Sequence, residues 1–548
     1  MKIVIVGGVA GGASAAARAR RLSEEAEIVV IERGAHPSFA NCGLPYYVGG
    51  EIESRDKLLV APIQLLRERL KLDVRVRSEV TKIDPQAKAV TVKELESGKE
   101  YTESYDSLII ATGASPFRPP LPGIDNERIV SLRDLNDADR MRDLAINGAT
   151  QAVIVGAGFI GIEVAENLIR RGIKTTIVEL ANQILPPWDQ EMILPLQRHL
   201  IAEGIDLRLG ASAAKFESDQ DKINVTMNDS SVIPADFVVL CIGVRPDSKL
   251  AAEAGIECGP RGGIRVTSQM ETNIPDIYAV GDVVETKCSI TGDPIQIPLA
   301  GPANRQGRIA ADRIFQRDSQ YRGTQGTAVV GMFGQTAAMT GMSEKVLRAK
   351  GISYEKIYLH PTDHAGYFPG AKQMLMKLLF SPDDGKILGA QAAGTSGVDK
   401  RMDVIAMAIQ AGMTVYDLEE AELCYAPQYG HAKDPVNMAG FIASGVLRGD
   451  QPIIHASTLA DESSAGLFIL DVRTTGEYAK GHIPGAVNIP IEELRDRIQE
   501  VPADKSIATY CQVGQRGYLA TRLLLQHGMN ARNISGGYRL WSILEDPS

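Results

Sequence analysis

Two stretches of this chain repeat one pattern, and that pattern restricts the fold more than any other feature. Between Lys2 and Glu32 an apolar run, KIVIV, meets a glycine turn, an Ala/Arg-rich helical segment and a second apolar run, EIVVIE. Between Gln151 and Glu179 the same order recurs as QAVIV, GAGFIG, IEVAENLIRRG and KTTIVE. Each reads as a βαβ unit of about 30 residues with an acid at the tip of its second strand. One glycine fingerprint is weak evidence; two, each followed by its acid, predict two Rossmann-like nucleotide-binding domains in an α/β chain.

In the second unit Gly156, Gly158 and Gly161 complete G-x-G-x-x-G. The first allows the tight turn, the second lets a pyrophosphate approach the backbone, and the third packs helix on strand. The phosphates then meet the free N–H groups of the helix start. Glu179, 18 residues past Gly161, suits a ribose 2′-hydroxyl. A carboxylate there repels a 2′-phosphate and ELANQ adds no Lys or Arg, so NADH is expected over NADPH. The first unit has Gly7 and Gly12 in the outer places but Val9 in the middle, flanked by Gly8 and Gly11; Glu32 follows Gly12 by 20 residues.

Farther on, SLIIATG (107–113) and FVVLCIG (237–243) each end in glycine. The two fingerprints, the turn Ala111-Thr112-Gly113 and the run Ala279-Val280-Gly281-Asp282 resemble the pyridine nucleotide–disulfide oxidoreductase family over residues 1 to about 445. The resemblance implies FAD at the first unit, with Thr112 and Gly113 beside it and Asp282 on the ribityl chain, NADH at the second, and a homodimer. The expected layout is an FAD-binding domain at 1–115 and 245–322, an NADH-binding domain at 116–244 and an α+β dimerisation domain at 323–445. A Pro- and Gly-broken linker at 446–460 and a small α/β module at 461–548 complete it.

Cys42, in SFANCGLPYYVGG, lies ten residues past Glu32. Many relatives carry two cysteines here that form a disulfide beside the flavin; this chain has Tyr47 where the second would fall and no other cysteine before position 241. One thiol must pair with a substrate thiol, or cycle through a sulfenic acid or persulfide. The wording resembles the coenzyme A–disulfide reductase branch, which implies coenzyme A along the flavin domain with its sulfur at Cys42. Ser14, Arg18 and Arg21 share one helix face by spacing, and the resemblance puts them on the nucleotide end of coenzyme A. It places Ser38 and Asn41 beside the thiol, with Lys71 one residue out of alignment. Tyr367 and Tyr425 match the two tyrosines that the branch brings to the cysteine from the partner subunit, where a phenol can protonate a leaving thiolate. Without the resemblance the arginines also read as a solvated helix face and the tyrosines as aromatic packing.

The C-terminal DVRTTGEYAKGHIPGAVNIP and the strand ending at Cys511 resemble the rhodanese family. CQVGQR runs from Cys511 to Arg516 into a helical segment. Backbone N–H groups there stabilise a persulfide anion, and Arg516 is expected to add a cation. A phosphatase loop is one residue longer to fit phosphate, so sulfur transfer is the expected chemistry.

Composition limits what remains. With 58 basic and 68 acidic residues the formal charge is −10, which offers no footprint for nucleic acid or an anionic membrane. Six cysteines in 548 residues, with no CxxC pair, predict neither a disulfide framework nor a zinc site, and no metal is expected. No apolar run reaches membrane-spanning length, so a cytoplasmic protein is expected. The reading is an FAD- and NADH-dependent reductase of persulfides, polysulfides or coenzyme A persulfide. The alternatives are a coenzyme A–disulfide reductase with an attached sulfurtransferase, an NADH oxidase and a sulfane-sulfur sensor.

Overall fold

The computed structural model describes residues 1–464 and 466–545, so residue 465 and the last three residues of the 461–548 module lie outside the described residues. The chain forms two units, residues 1–182 with 204–324 and residues 183–203 with 325–548.

The first unit contains two five-stranded parallel sheets that share the arrangement of four strands, the fifth being an edge strand that comes last in the chain in one and first in the other. In one, the order is Ile277–Ala279, Ser107–Ile110, Lys2–Val6, Glu27–Ile31, Asp73–Arg75. In the other it is Ile129–Val130, Phe237–Leu240, Gln151–Val155, Lys174–Glu179, Asp206–Leu209. The fingerprint strands Lys2–Val6 and Gln151–Val155 sit centrally, so their glycine turns open at the point where strand order reverses, the usual place for a ligand in such sheets. Both faces are covered, and the strands are therefore apolar throughout: Ile3, Val4 and Ile5 are fully buried. Helix Ala10–Leu22 turns Ala15, Ala16 and Ala19 inward, and these small side chains let it close on helix Ala300–Ile314. A Cβ on Gly307 would stand 2.1 Å from the Gly11 carbonyl oxygen, so this crossing requires glycine. The antiparallel pair Ala114–Pro116 and Val244–Pro246 carries the chain between the two sheets.

In the second unit an antiparallel sheet runs Ala328–Met332, Gln335–Gly341, Ile387–Gly394, Leu375–Phe380, Glu355–Leu359. Helix Gln190–Ala202, which lies within the 116–244 span of the sequence, folds here through Met192, Ile193, Leu194, Leu196 and Leu200. Lys377, fully buried on strand Leu375–Phe380, donates to Asp189 (2.9 Å), Glu191 (2.6 Å) and Glu344 (2.6 Å). Its charge holds the Glu191 and Glu344 carboxyls below the ordinary range against their burial.

A parallel sheet closes the chain: Ile453–Ile454, Ala531–Ile534, Ile507–Tyr510, Phe468–Asp471, Val487–Asn488. Within the 446–460 linker, Ile453 and Ile454 pair with Asn533 and Ile534 and Ile454 is buried; a two-residue strand leaves no periodicity to read. Strand–helix alternation in the 461–548 module predicts a helix between AVNIP and IATYC; that segment is instead a series of turns with one 3-10 turn, Ile498–Glu500. Arg497 pairs with Glu493 and Glu500 within this segment.

Candidate active site

The two fingerprints share their atomic geometry. Gly7 and Gly156 have φ of 101° and 107°, and a Cβ there would lie 2.2 Å from the Ala111 oxygen and 2.3 Å from the Cys241 oxygen respectively. The third glycines repeat the match: a Cβ on Gly12 would lie 1.9 Å from the Gly7 oxygen, one on Gly161 2.1 Å from the Gly156 oxygen. Cys241 is thus the floor of the second turn, where burial pushes its thiol up to about 12. The acids are held alike. Glu32 accepts from the N–H of Gly8 (2.7 Å) and Gly34 (2.7 Å), and Glu179 from Ala157 (2.7 Å) and Ala181 (2.8 Å). Each carboxylate is fixed at its strand tip with lone pairs left for ribose hydroxyls.

The middle position differs. A Cβ on Gly158 would meet nothing within 4 Å, which leaves the open space that close approach of a pyrophosphate requires. Val9 stands at the equivalent place with φ −104°, an extended conformation that needs no glycine. Beside it a cavity of about 1010 Å³ takes in Gly7, Gly11, Glu32, Thr112, Gly113 and Asp282. Its size and lining, backbone N–H groups at a helix start with an acid at each end, fit FAD. Burial raises the Asp282 carboxyl, and Arg133 opposes that shift. Arg133, which the sequence did not single out, donates to Asp247 (2.9 Å), the Thr112 oxygen (3.5 Å) and Ser115. Only the fold brings these four residues together.

Cys42 lies exposed in the 3-10 turn Asn41–Gly43, its N–H donating to Asn41 Oδ1 at 3.2 Å. Desolvation by its neighbours, then the Glu163 and Asp282 charges, holds its thiol above the ordinary range. Glu163 was also missed: half-buried on helix Phe159–Arg170, with its carboxyl raised by desolvation, it accepts from Tyr46 at 3.0 Å. Tyr47 is buried and donates to Asp139 at 3.1 Å, so the second-cysteine position is a packing position here. Ser38 (φ 51°) ties its N–H to the Gly8 oxygen at 2.9 Å, which fixes the segment ahead of Cys42 on the first fingerprint. On helix Ala10–Leu22, Ser14 donates to Asn304 and Arg18 to Asp312 (2.7 Å), while Arg21 is exposed in the last turn. Lys71 (φ 49°) is exposed and offers its carbonyl to Arg20 at 3.1 Å.

In the second unit, Tyr367 and Tyr425 share a hydroxyl–hydroxyl hydrogen bond of 2.8 Å while remaining 75% and 49% exposed. Their loops are joined by the Ala365 N–H to the Gly430 oxygen (3.0 Å) and by Thr362 with His431 (2.6 Å).

Cys511 is buried at the end of strand Ile507–Tyr510, and the Gly514 N–H points at its Sγ from 3.2 Å. The loop backbone is anchored by the N–H of Tyr538 on the Cys511 oxygen (2.9 Å) and of Arg539 on the Gln512 oxygen (3.0 Å). Arg516 faces Cys511 but does not stand free. Both its terminal nitrogens donate to Glu477, at 2.8 and 2.7 Å, and this holds the Glu477 carboxyl down to about 2.

Comparison with known proteins identifies the family. The pyridine nucleotide-disulphide oxidoreductase profile matches residues 1–307, the dimerisation domain of that family residues 327–434, and the rhodanese-like domain residues 455–544. The coenzyme A disulfide reductase of Staphylococcus epidermidis is 34% identical over 444 residues, which span 81% of this chain and 99% of that protein. The crystal structure of reduced Bacillus anthracis CoADR-RHD superposes with a TM-score of 0.97 at 46% identity, covering 99% of this chain and 98% of that one. An NAD-dependent persulfide reductase from A. fulgidus superposes with a TM-score of 0.92 at 35% identity, covering 99% and 100%. Among the described residues no helix is long and apolar enough to cross a membrane. The chain belongs to the pyridine nucleotide-disulphide oxidoreductase family, as a flavoprotein of the coenzyme A–disulfide reductase type that carries a C-terminal rhodanese domain.

Proposed function

We propose that the protein uses NADH to reduce sulfane sulfur, as coenzyme A persulfide or a related persulfide or polysulfide, to hydrogen sulfide and thiol. The observation that carries this reading is the Cys511 loop, which aims a backbone N–H at a buried sulfur on a chain that also holds a lone cysteine beside a dinucleotide cavity. FAD, when bound, supplies two-electron transfer from NADH. Gly7, Gly12, Glu32, Thr112, Gly113 and Asp282 hold it; Gly156, Gly158, Gly161 and Glu179 hold NADH.

Cys511 takes a sulfane sulfur as its persulfide and returns it to coenzyme A or to Cys42. The Cys42 thiolate attacks the inner sulfur of coenzyme A persulfide; a Cys42–coenzyme A disulfide forms and hydrosulfide leaves. Two electrons and two protons then restore the Cys42 thiol and free coenzyme A. Ser14, Arg18, Arg21 and Lys71 meet the nucleotide end of coenzyme A, with Ser38 and Asn41 at the thiol; Arg18 exchanges Asp312 for phosphate. Tyr367 and Tyr425 of the partner subunit in a homodimer supply a proton to the leaving thiolate. The coenzyme A disulfide reductase of S. epidermidis favours a second reading, reduction of coenzyme A disulfide with sulfur transfer as a separate activity.

The test is anaerobic NADH oxidation with coenzyme A persulfide and coenzyme A disulfide side by side. Faster turnover on the persulfide, with one sulfide released per NADH, is the expected result; preference for the disulfide without sulfide selects the second reading. Cys42→Ser abolishes NADH-coupled sulfide release and leaves sulfur loading of Cys511 intact. A Cys42→Ser protein with full reductase activity refutes the mechanism.

A further inference from the structure

The mouth of the Cys511 loop has an unusual charge arrangement. Gln512, Val513, Gly514 and Gln515 bring no cation, and Arg516 is the loop's one positive group. It is closed into a two-pronged pair with Glu477, which is itself fixed by the capping box of helix Thr475–Ala479. Two other guanidiniums stand beside the loop. Arg473, 2% exposed, is committed to Asp471 and the Gly481 oxygen and reaches the loop only through Gln512 Oε1. Arg539 gives the loop its backbone N–H and turns its guanidinium to Gln373.

A sulfur donor must bring its sulfane sulfur to Cys511 through this mouth. Thiosulfate spreads two negative charges over that sulfur and the oxygens two bonds away, and a free cation favours its approach to a thiolate. A persulfide carried on a thiol puts at most one charge there, even when, as with coenzyme A, phosphates lie at the far end of the molecule.

We propose that the Glu477–Arg516 pair sets the donor preference of Cys511, selecting thiol-borne persulfides over the thiosulfate dianion by neutralising the loop's cation. The inference rests on the reading of Cys511 as a sulfur carrier. In the favoured transfer the Cys511 thiolate attacks the outer sulfur of R–S–SH, the S–S bond breaks, Cys511–S–SH forms and R–S⁻ leaves. With thiosulfate the same attack forms Cys511–S–S⁻ and releases sulfite; neither step needs an added oxidant or reductant. Glu477 is a positioning residue, acting through Arg516.

The test follows sulfur loading of Cys511 in the full-length protein. Samples are quenched by alkylation and the Cys511 peptide is read by mass spectrometry, with cysteine persulfide and thiosulfate as donors. Glu477→Gln is expected to raise the second-order loading rate for thiosulfate about tenfold and that for cysteine persulfide by less than about twofold. High salt removes the gain, since a freed cation is screened, and Glu477→Gln/Arg516→Gln restores the original ratio. Equal changes for both donors would make the pair a structural brace only and overturn the proposal. On the unmodified protein, thiosulfate loading is expected to hold or rise with ionic strength, because salt screens the repulsion between dianion and thiolate. A steep loss with salt reveals a free cation at the mouth and overturns the proposal whether or not the variant folds. Absence of Cys511 loading from either donor removes the carrier reading itself, and the proposal with it.

Discussion

Replacing Lys377 by Met removes one positive charge from a site where the lysine itself is fully buried. Asp189, Glu191 and Glu344 are 5%, 14% and 8% exposed at the side chain and converge on the Lys377 ammonium. Removing one partner of a buried ion pair costs about 3–5 kcal/mol, because the remaining charge is left uncompensated. Three carboxylates share this cation, although Lys356 and Arg348 also reach Glu344, so we take the middle of the range. For a unit of this size about 4 kcal/mol lowers Tm by roughly 8–16 °C. The protein's two tryptophans, Trp188 and Trp541, both lie in the second unit, so intrinsic fluorescence follows its unfolding directly. The pH dependence has a definite sign. In the parent protein Glu191 and Glu344 have depressed folded values, so their contribution is present above about pH 4.5 and is lost as pH falls through those values. In Lys377→Met, Glu344 keeps Lys356 and Arg348, but Glu191 loses its cation and binds a proton more readily folded than unfolded. Acid therefore relieves the variant first, and its Tm deficit narrows from about pH 7 toward about pH 5. A deficit below about 3 °C, or one that does not narrow, would refute the assignment of Lys377 as the centre of this network.

Other outcomes follow from geometry already given. Gly12→Ala drives a Cβ to 1.9 Å from the Gly7 oxygen and should yield protein with severalfold less flavin absorbance per chain. Gly158→Ala meets no protein atom within 4 Å, so the fold should survive while the NADH KM rises about tenfold, as steady-state kinetics would show. His360, buried against the Gly536 oxygen at 3.2 Å, has its ring lowered to about 4, first by burial and then by Arg539. Its unfolded form binds the proton first, so the second unit should lose stability as pH falls from 6.5 to about 4. His360→Gln should flatten that limb in acid-denaturation curves followed by tryptophan fluorescence.

The nucleotide-binding halves were legible because their constraints are local. A glycine with φ near 100°, a third glycine facing the carbonyl of the first and an acid at a strand tip must fall at set spacings, and they did. The Lys377 network left no such trace. MLMKLLF reads as an apolar strand, and its three acids lie some 33 to 188 residues away in sequence. Arg133 and Glu163 escaped notice because nothing adjacent to either in the chain announces its partner. Arg516 was legible as a loop cation but its neutralisation was not, since Glu477 reads as a helix-capping residue and is one as well.

The strand Ile453–Ile454 has a consequence for how this chain can be cut. A fragment beginning near residue 460 would leave Ala531–Ile534 as an open edge, its outward N–H and C=O groups unpaired. Such an edge recruits the next extended chain it meets, so the isolated piece should self-associate in a concentration-dependent way where one starting before Pro452 should not. The segment joining the two parts thus also works as a built-in guard strand, and losing it in a truncation or a proteolytic nick converts a closed sheet edge into a template for aggregation.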